Sequence, residues 1–177
     1  MSGEYVFIDE TKRRDYLLAA GAVHPEHLDP VRRVLRGLVL PGQRRLHMKD
    51  ESDPRKRSIA TAITDSEVQA TVYDAGRRYR NERERRAAGL RAIVEDAAAC
   101  GHAMLVLEQD DSLLSWDNRQ LIEFTRAAGC HATLRYEHRR AAAELALAIP
   151  DAIAWCWAKG GDWRRRIEPA VVKVREV

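Results

Sequence analysis

Short apolar runs with strand character alternate with helical stretches along the chain, and this alternation limits the fold more than any other feature. The first run, YVFID, and the second, YLLAAGAV, are joined by ETKRRD and predict an antiparallel hairpin. Further strands are predicted over 44–49, 68–73, 103–108 and 132–138, and helices over 24–40, 53–64, 81–100, 116–129 and 139–161. The tail AVVKVREV adds an edge strand or lies on the surface. The pattern predicts an α/β protein with a mixed central sheet and helices on both faces.

Length and composition indicate an ordinary globular chain. Residues 1–177 predict a single domain, and 45% hydrophobic with 32% charged residues is typical of this class. No apolar run approaches the ~20 residues that a membrane span requires, so no membrane partner is expected. The start, MSGEYVF, lacks signal-peptide character, which predicts a cytoplasmic location. The three cysteines form no CxxC pair and favour buried thiols over a zinc site.

Positive charge is concentrated in one segment although the net charge is only +3. Arginine supplies 25 of the 30 basic residues, and residues 77–91, RRYRNERERRAAGLR, hold seven arginines against two glutamates. One interpretation is a solvated helix face, with the arginine excess reflecting codon usage. The other is an anionic partner, because arginine pairs bidentately with phosphate. The second interpretation predicts nucleic-acid binding through Arg77–Arg91.

Acidic residues follow two of the predicted strands and interrupt the last helix. Asp9 and Glu10 end the first strand, Glu108 ends AMLVLE with Asp110 just beyond it, and Asp151 lies within LALAIPDAIAWCW. Taken singly, each residue is explained as a turn residue, a solvated strand end or a first-turn acid that complements the helix dipole. Taken together, acids at the carboxyl ends of strands predict an oxygen-ligand site for Mg²⁺ or Mn²⁺. Such ions activate water in phosphodiester hydrolysis.

Four short segments give the chain a family resemblance. In order they are VFIDET (6–11), LAAGAV (18–23), RRLHMKDESDPRKRSIATAI (44–63) and PDAIAWCWA (150–158). They resemble the landmarks of a prokaryotic family of uncharacterised ribonuclease-H-like proteins whose first strand ends in a Phe-Ile-Asp-Glu-Ser-type motif. The resemblance implies a ribonuclease-H-like fold in which Asp9, Glu108 (or Asp110) and Asp151 meet around a metal ion.

The third landmark also draws attention to His47, and some positions depart from the family pattern. Beside a metal site, His47 would move a proton or contact a phosphate, and Lys49 would contact phosphate; a structural role for His47 is the alternative. Arg45 stands where an acid is common in the family, and Ala148 and Pro150 replace a glutamine and an alanine before Asp151. These departures favour a non-catalytic member of the fold.

We therefore arrive at two main hypotheses. The first is a metal-dependent nuclease or phosphodiesterase acting on RNA or DNA, with catalytic residues Asp9, Glu108, Asp151 and His47 and additional metal ligands Glu10 and Asp110. The second is a non-catalytic ribonuclease-H-like module that binds nucleic acid or protein. A small-molecule enzyme is a third possibility, without a specific motif in its favour. Trp155 and Trp157 are candidates for stacking on bases or for filling the core. The oligomeric state is not indicated by the sequence.

Overall fold

The predicted hairpin opens the sheet, and the predicted alternation of strands and helices follows it. The structure, a computed structural model, describes residues 3–177. Its strands are β1 (Tyr5–Thr11), β2 (Tyr16–Val23), β3 (Val68–Gly76), β4 (Met104–Glu108), β5 (Arg135–Arg139) and β6 (Val171–Glu176). Its α-helices are α1 (Pro25–Leu38), α2 (Asp53–Thr64), α3 (Glu82–Cys100), α4 (Leu114–Ala127), α5 (Ala148–Lys159) and α6 (Gly161–Ile167).

The six strands form a mixed sheet in the order β5-β4-β1-β2-β3-β6. β2 is antiparallel to both β1 and β3, whereas β1, β4 and β5 run parallel to one another. The tail forms β6, an edge strand parallel to β3. The mixed sheet with an N-terminal hairpin is thus confirmed. Because β1 and β4 are parallel neighbours, their carboxyl ends lie side by side in the middle of the sheet.

Helices cover both faces of the sheet, as the alternation predicts. Phe7 belongs to a core formed with α1, α2 and α5, whereas Val6 and Ile8 belong to a second core formed with α3 and α4. We call these two sides the α5 face and the α3 face. Because successive side chains of β1 point to opposite faces of the sheet, the position of each residue in the strand determines which of the two cores it joins.

Two glycines allow one helix on each face to approach the sheet closely. A Cβ atom on Gly21 of β2 would lie 2.8 Å from Ile149 of α5, and one on Gly89 of α3 would lie 2.3 Å from Leu18 of β2. Real Cβ atoms do not tolerate such contacts, so larger residues would push the helices outward. This close packing brings the first turns of α3 and α5 near the end of β1.

Two sequence predictions about secondary structure are wrong. No strand forms over 44–49; a 3₁₀ turn begins at Met48, whose backbone N–H is donated to Asp151 rather than to a neighbouring strand. The helix predicted over 139–161 is also wrong in extent. β5 ends at Arg139, a turn and a short 3₁₀ segment follow over 140–147, and α5 begins only at Ala148. Gly160 and Gly161, both at positive φ, then separate α5 from α6. Within residues 3–177, no helix has the length and apolar character needed to cross a membrane.

Candidate active site

Asp9 and Glu10 are adjacent in sequence but serve opposite faces of the sheet. Asp9 continues the alternation from Phe7 onto the α5 face, and Glu10 continues it from Ile8 onto the α3 face. The two carboxylates therefore meet different partners. Because their side chains point to opposite faces of the sheet, the two neighbouring acids at the end of this buried strand do not have to be buried against each other.

All five predicted metal ligands line one cavity at the end of β1, and three of them, Asp9, Glu108 and Asp151, come together on the α5 face. Ile8 pairs with Leu107 in the parallel register of β1 and β4, so the next residues, Asp9 and Glu108, lie beside each other. Asp151 faces them from the first turn of α5. Pro150 does not disturb this helix, because first-turn N–H groups have no intrahelical partner to lose. The cavity measures about 1140 Å³, and its lining also includes Glu10, His47, Lys49 and Asp110.

The acids in the cavity carry more negative charge than their surroundings neutralise. Burial raises the pKa of Asp9 well above its usual range, and the neighbouring Glu108 and Asp151 raise it further. Burial likewise raises the pKa of Asp151 to about 6, although the Met48 N–H and His47 oppose this shift. Both shifts mean that the site favours a bound proton, or another positive charge, over three free carboxylates.

His47 lies between two acids and joins the cavity to the loop before α2. Its Nε2 atom is 3.4 Å from Asp151 Oδ1, and its Nδ1 atom is 3.1 Å from Asp50 Oδ2. Asp151 Oδ2 accepts the backbone N–H of Met48 at 2.8 Å. The irregular segment 44–50 thus orients the Asp151 carboxylate through Met48 and His47.

Arg45 limits the convergence of the carboxylates. Its Nη1 atom lies 2.9 Å from Glu108 Oε1, in a pair whose side chains are 39% and 24% exposed. Among residues 3–177, no group of three or more His, Cys, Asp or Glu side chains is arranged to close around a single ion. The residues that the sequence predicts to share an ion therefore lie in one cavity. Glu108 would, however, have to leave Arg45 to complete the ligand shell of that ion.

Glu10, predicted as an additional metal ligand, is engaged on the α3 face. The Arg86 guanidinium is buried and forms an ion pair with Glu10. It also donates from Nε and Nη2 to the two carboxylate oxygens of buried Asp117, at 2.7 and 2.8 Å. His138 Nε2 is 3.2 Å from Asp117, and burial raises the pKa of Tyr16 in the same group. These mutual contacts join β1, α3, α4 and β5 behind the cavity.

The remaining predicted residues lie nearer to solvent. Asp110 is exposed, and its Oδ1 accepts both the backbone N–H and the hydroxyl of Ser112, which lowers its pKa. In the arginine-rich segment, Arg86 is buried and so cannot contact an external partner. Arg85 donates to the carbonyls of Arg78 and Tyr79. The exposed members of the segment include Arg77, Arg80, Arg83 and Arg91.

Several cavity residues were not recognised from the sequence. The lining includes Lys12, Lys56, Lys159 and Trp163, which contribute positive charge and an aromatic ring. One signal was available, because Asp151, Trp155 and Lys159 are spaced four residues apart and so share one face of a helix. Lys12 follows Asp9 by only three residues, so its place near the end of β1 is also indicated by the sequence. No sequence signal places Trp163 there, since its position depends on how α6 packs against α5.

Comparisons with known proteins bear on the fold. No family model and no curated protein matches the sequence. Among solved structures, the ribonuclease HII in a complex of PCNA and RNase HII from Archaeoglobus fulgidus matches with a TM-score of 0.55 and 17% sequence identity. The match covers 93% of this chain and 75% of that chain. This chain therefore has a ribonuclease-H-like fold, as the sequence predicts.

Proposed function

We propose that the protein is a metal-dependent nuclease or phosphodiesterase that acts on RNA or DNA at the cavity on the α5 face. The observation that carries this proposal is the juxtaposition of Asp9, Glu108 and Asp151 in one cavity, where the pKa values of Asp9 and Asp151 are raised. Shifted carboxylates in a cleft are a common mark of functional sites. The ribonuclease-H-like fold supports the same proposal by analogy.

The donor chemistry of the cavity fits a hard divalent cation. Carboxylate oxygens are the ligands that Mg²⁺ and Mn²⁺ prefer, and a cation would remove the repulsion that raises the pKa of Asp9. We assign Asp9, Glu108 and Asp151 as the residues that would hold it. The bound ion would supply an activated water and stabilisation of the leaving oxygen.

The other polar residues have separate roles in this proposal. His47, beside Asp151, takes or returns a proton at the leaving oxygen. Lys12 and Lys49, in the cavity lining, attract the phosphate without reading the base. Asp110 orders the loop after β4 through Ser112 and stays available as an outer ligand. Glu10 holds β1 against Arg86 and takes no part in binding the ion.

A cleavage assay tests the proposed function. Folded protein is incubated with single- and double-stranded RNA and DNA oligonucleotides, with Mg²⁺, Mn²⁺ or EDTA. We expect cleavage that requires the metal and is abolished by Asp9→Asn. The matched control is Asp65→Asn, an exposed acid at the end of α2 outside the cavity lining. No metal-dependent cleavage by the folded protein, or equal cleavage by Asp9→Asn, would refute the proposal.

The exposed arginines of the 77–91 segment serve in this proposal as a non-specific contact to the nucleic-acid backbone. Each phosphate contact that is removed should reduce the slope of log affinity against log salt by about 1. Arg83→Ala is the test, because Arg83 is exposed on α3. An unchanged slope for Arg83→Ala and for Arg80→Ala would exclude this surface from the interface.

The Arg45–Glu108 ion pair favours a second candidate function, a non-catalytic module of the same fold. An arginine bound to Glu108 supplies the positive charge that a metal ion would otherwise provide. In that case Mn²⁺ would give no thermal stabilisation, whereas an ion that binds the folded state must raise the melting temperature by mass action. A melting curve with and without Mn²⁺ therefore distinguishes the two functions.

A further inference from the structure

One stripe of α5 carries an acid, an aromatic ring and a cation along the wall of the cavity. Asp151, Trp155 and Lys159 lie at positions i, i+4 and i+8 of this helix, and all three line the cavity. Positions four apart are neighbours on one helix face. With a rise of 1.5 Å per residue, Trp155 lies about 6 Å along the axis from Asp151, and Lys159 about 12 Å.

A second aromatic ring stands against the middle of this stripe. Trp163 of α6 lines the same cavity, and its ring meets that of Trp155 edge to face, with centroids 5.1 Å apart and planes at 85°. Both rings are only half-buried. Rings at nearly a right angle form a corner, and a flat group that displaces Lys56 or Arg57 from one ring could stack there with its edge toward the other ring.

A basic side chain lies over each of the two tryptophan rings. Lys56 Nζ lies 4.7 Å from the centre of the Trp155 ring, and the Arg57 guanidinium carbon lies 5.8 Å from that of Trp163. Together with Lys159 they place positive charge around the aromatic corner. A ligand that carries a flat π-system next to a negatively charged backbone matches this combination of groups.

We propose that the corner formed by Trp155 and Trp163 is a base-stacking subsite, and that the substrate is a single strand of nucleic acid lying along the Asp151–Trp155–Lys159 stripe. This inference rests on the proposed function and specifies its substrate class. Successive nucleotides of one strand rise by about 3.4 Å along the axis of a stacked helix and by more in an extended strand. The subsite therefore takes a base one or two nucleotides from the phosphate at the carboxylates. A paired base within a duplex offers no free face to the rings.

Binding assays with an uncleaved complex test this inference. Asp9→Asn protein is titrated into a labelled single-stranded oligonucleotide, into the same strand with abasic residues, and into its duplex, as RNA and as DNA. We expect the intact strand to bind roughly 5- to 150-fold more tightly than the abasic strand, the range that stacking of one base provides. The RNA and DNA arms show which sugar the site accepts.

Trp163→Ala should remove most of that difference, and Trp163→Phe should restore part of it. Trp157→Ala is the matched control, since Trp157 is a half-buried tryptophan of α5 that lies outside the cavity lining. Because Trp155, Trp157 and Trp163 all pack against the core, melting curves accompany each variant, and Trp155→Phe and Trp163→Phe serve as the milder changes. Loss of discrimination in Trp163→Ala but not in Trp157→Ala supports the subsite.

Equal affinity for intact and abasic strands, or tighter binding of the duplex, would overturn the inference even if the protein cleaves nucleic acid. Conversely, an absence of cleavage together with strong discrimination against the abasic strand would refute the nuclease activity and leave the stacking subsite standing. The two proposals therefore fail in different experiments.

Discussion

The two faces of the sheet at the end of β1 treat buried carboxylates in opposite ways. On the α3 face, Glu10 and Asp117 share the buried guanidinium of Arg86, and the pKa of Asp117 is lowered. On the α5 face, Asp9 and Asp151 have raised pKa values and contact backbone N–H groups and His47 instead of a buried arginine. The acids on the α3 face are paired with Arg86 and so hold the surrounding elements together. Asp9 and Asp151 on the α5 face have no such partner among residues 3–177 and so favour the binding of a cation. In our proposal, the α3 face has a structural role and the α5 face carries the chemistry.

Removal of Arg86 should disrupt the ion pairs of the α3 face and have the largest effect on the free energy of unfolding. Arg86→Met leaves Glu10 and Asp117 buried without their partner, which costs about 3–5 kcal/mol in the free energy of unfolding. Urea denaturation measures this change, with Arg83→Met, an exposed neighbour on the same helix, as the control. A loss of less than about 0.5 kcal/mol, the range of ordinary surface substitutions, would contradict the structural role of this group.

Neutralisation of one acid on each face should change stability in opposite directions. Asp9→Asn in metal-free protein at pH 7 removes a repelled buried charge and should stabilise the fold by about 1–3 kcal/mol. Glu10→Gln weakens the ion pair with Arg86 and should destabilise it. Thermal melting of both variants in EDTA provides the measurement. Destabilisation of the protein by Asp9→Asn would show that Asp9 already has a favourable partner.

The raised pKa of Asp151 predicts how stability depends on pH. Its value of about 6 in the folded protein lies above its ordinary value of 3.8. As the pH falls through 6, the folded state binds a proton that the unfolded chain does not yet bind, so this residue makes the protein more stable in acid. From pH 7.5 to 5.0 the gain is about 1 kcal/mol. Unfolding curves of Asp151→Asn should lack this increment; an identical pH profile would contradict the shift.

Removal of Arg45, the ion-pair partner of Glu108, should increase the Mn²⁺ affinity of the cavity, and this is the smallest of the predicted effects. A part-exposed ion pair is worth up to about 1 kcal/mol, so Arg45→Ala should tighten Mn²⁺ binding by up to about fivefold. Calorimetric titration measures the affinity, and Arg44→Ala, an exposed neighbour, serves as the control. Weaker Mn²⁺ binding in Arg45→Ala than in Arg44→Ala would mean that Arg45 does not compete with the ion.

Local sequence patterns were sufficient for much of the fold. The alternation of Val6, Phe7 and Ile8 across two cores follows from a period of two, and the hairpin and the helices on both faces follow from the order of the elements. The segment 44–49 resembles a strand only in the two-residue spacing of its apolar residues, Leu46 and Met48. Its backbone is instead engaged by Asp151, about a hundred positions away, which no local pattern reveals.

The candidate site was predictable as a set of residue types but not as a set of contacts. Acids at strand ends indicate where Asp9 and Glu108 lie, because parallel strands end at one edge. The sequence does not reveal that Glu10 meets Arg86 or that Glu108 meets Arg45, since these pairs join residues 76 and 63 positions apart. Whether each acid is neutralised by the protein therefore depends on tertiary packing.

The most direct test of the central claim is the anomalous scattering of Mn²⁺ in crystals of the protein. Our account predicts one or more peaks in the cavity on the α5 face, within coordination distance of Asp9 and Asp151, with Glu108 turned from Arg45 toward the ion. It predicts no ion bound by Glu10, whose carboxylate is paired with Arg86 on the α3 face. Crystals with Mn²⁺ in the medium that show no peak in this cavity, and Arg45 still paired with Glu108, would contradict the account.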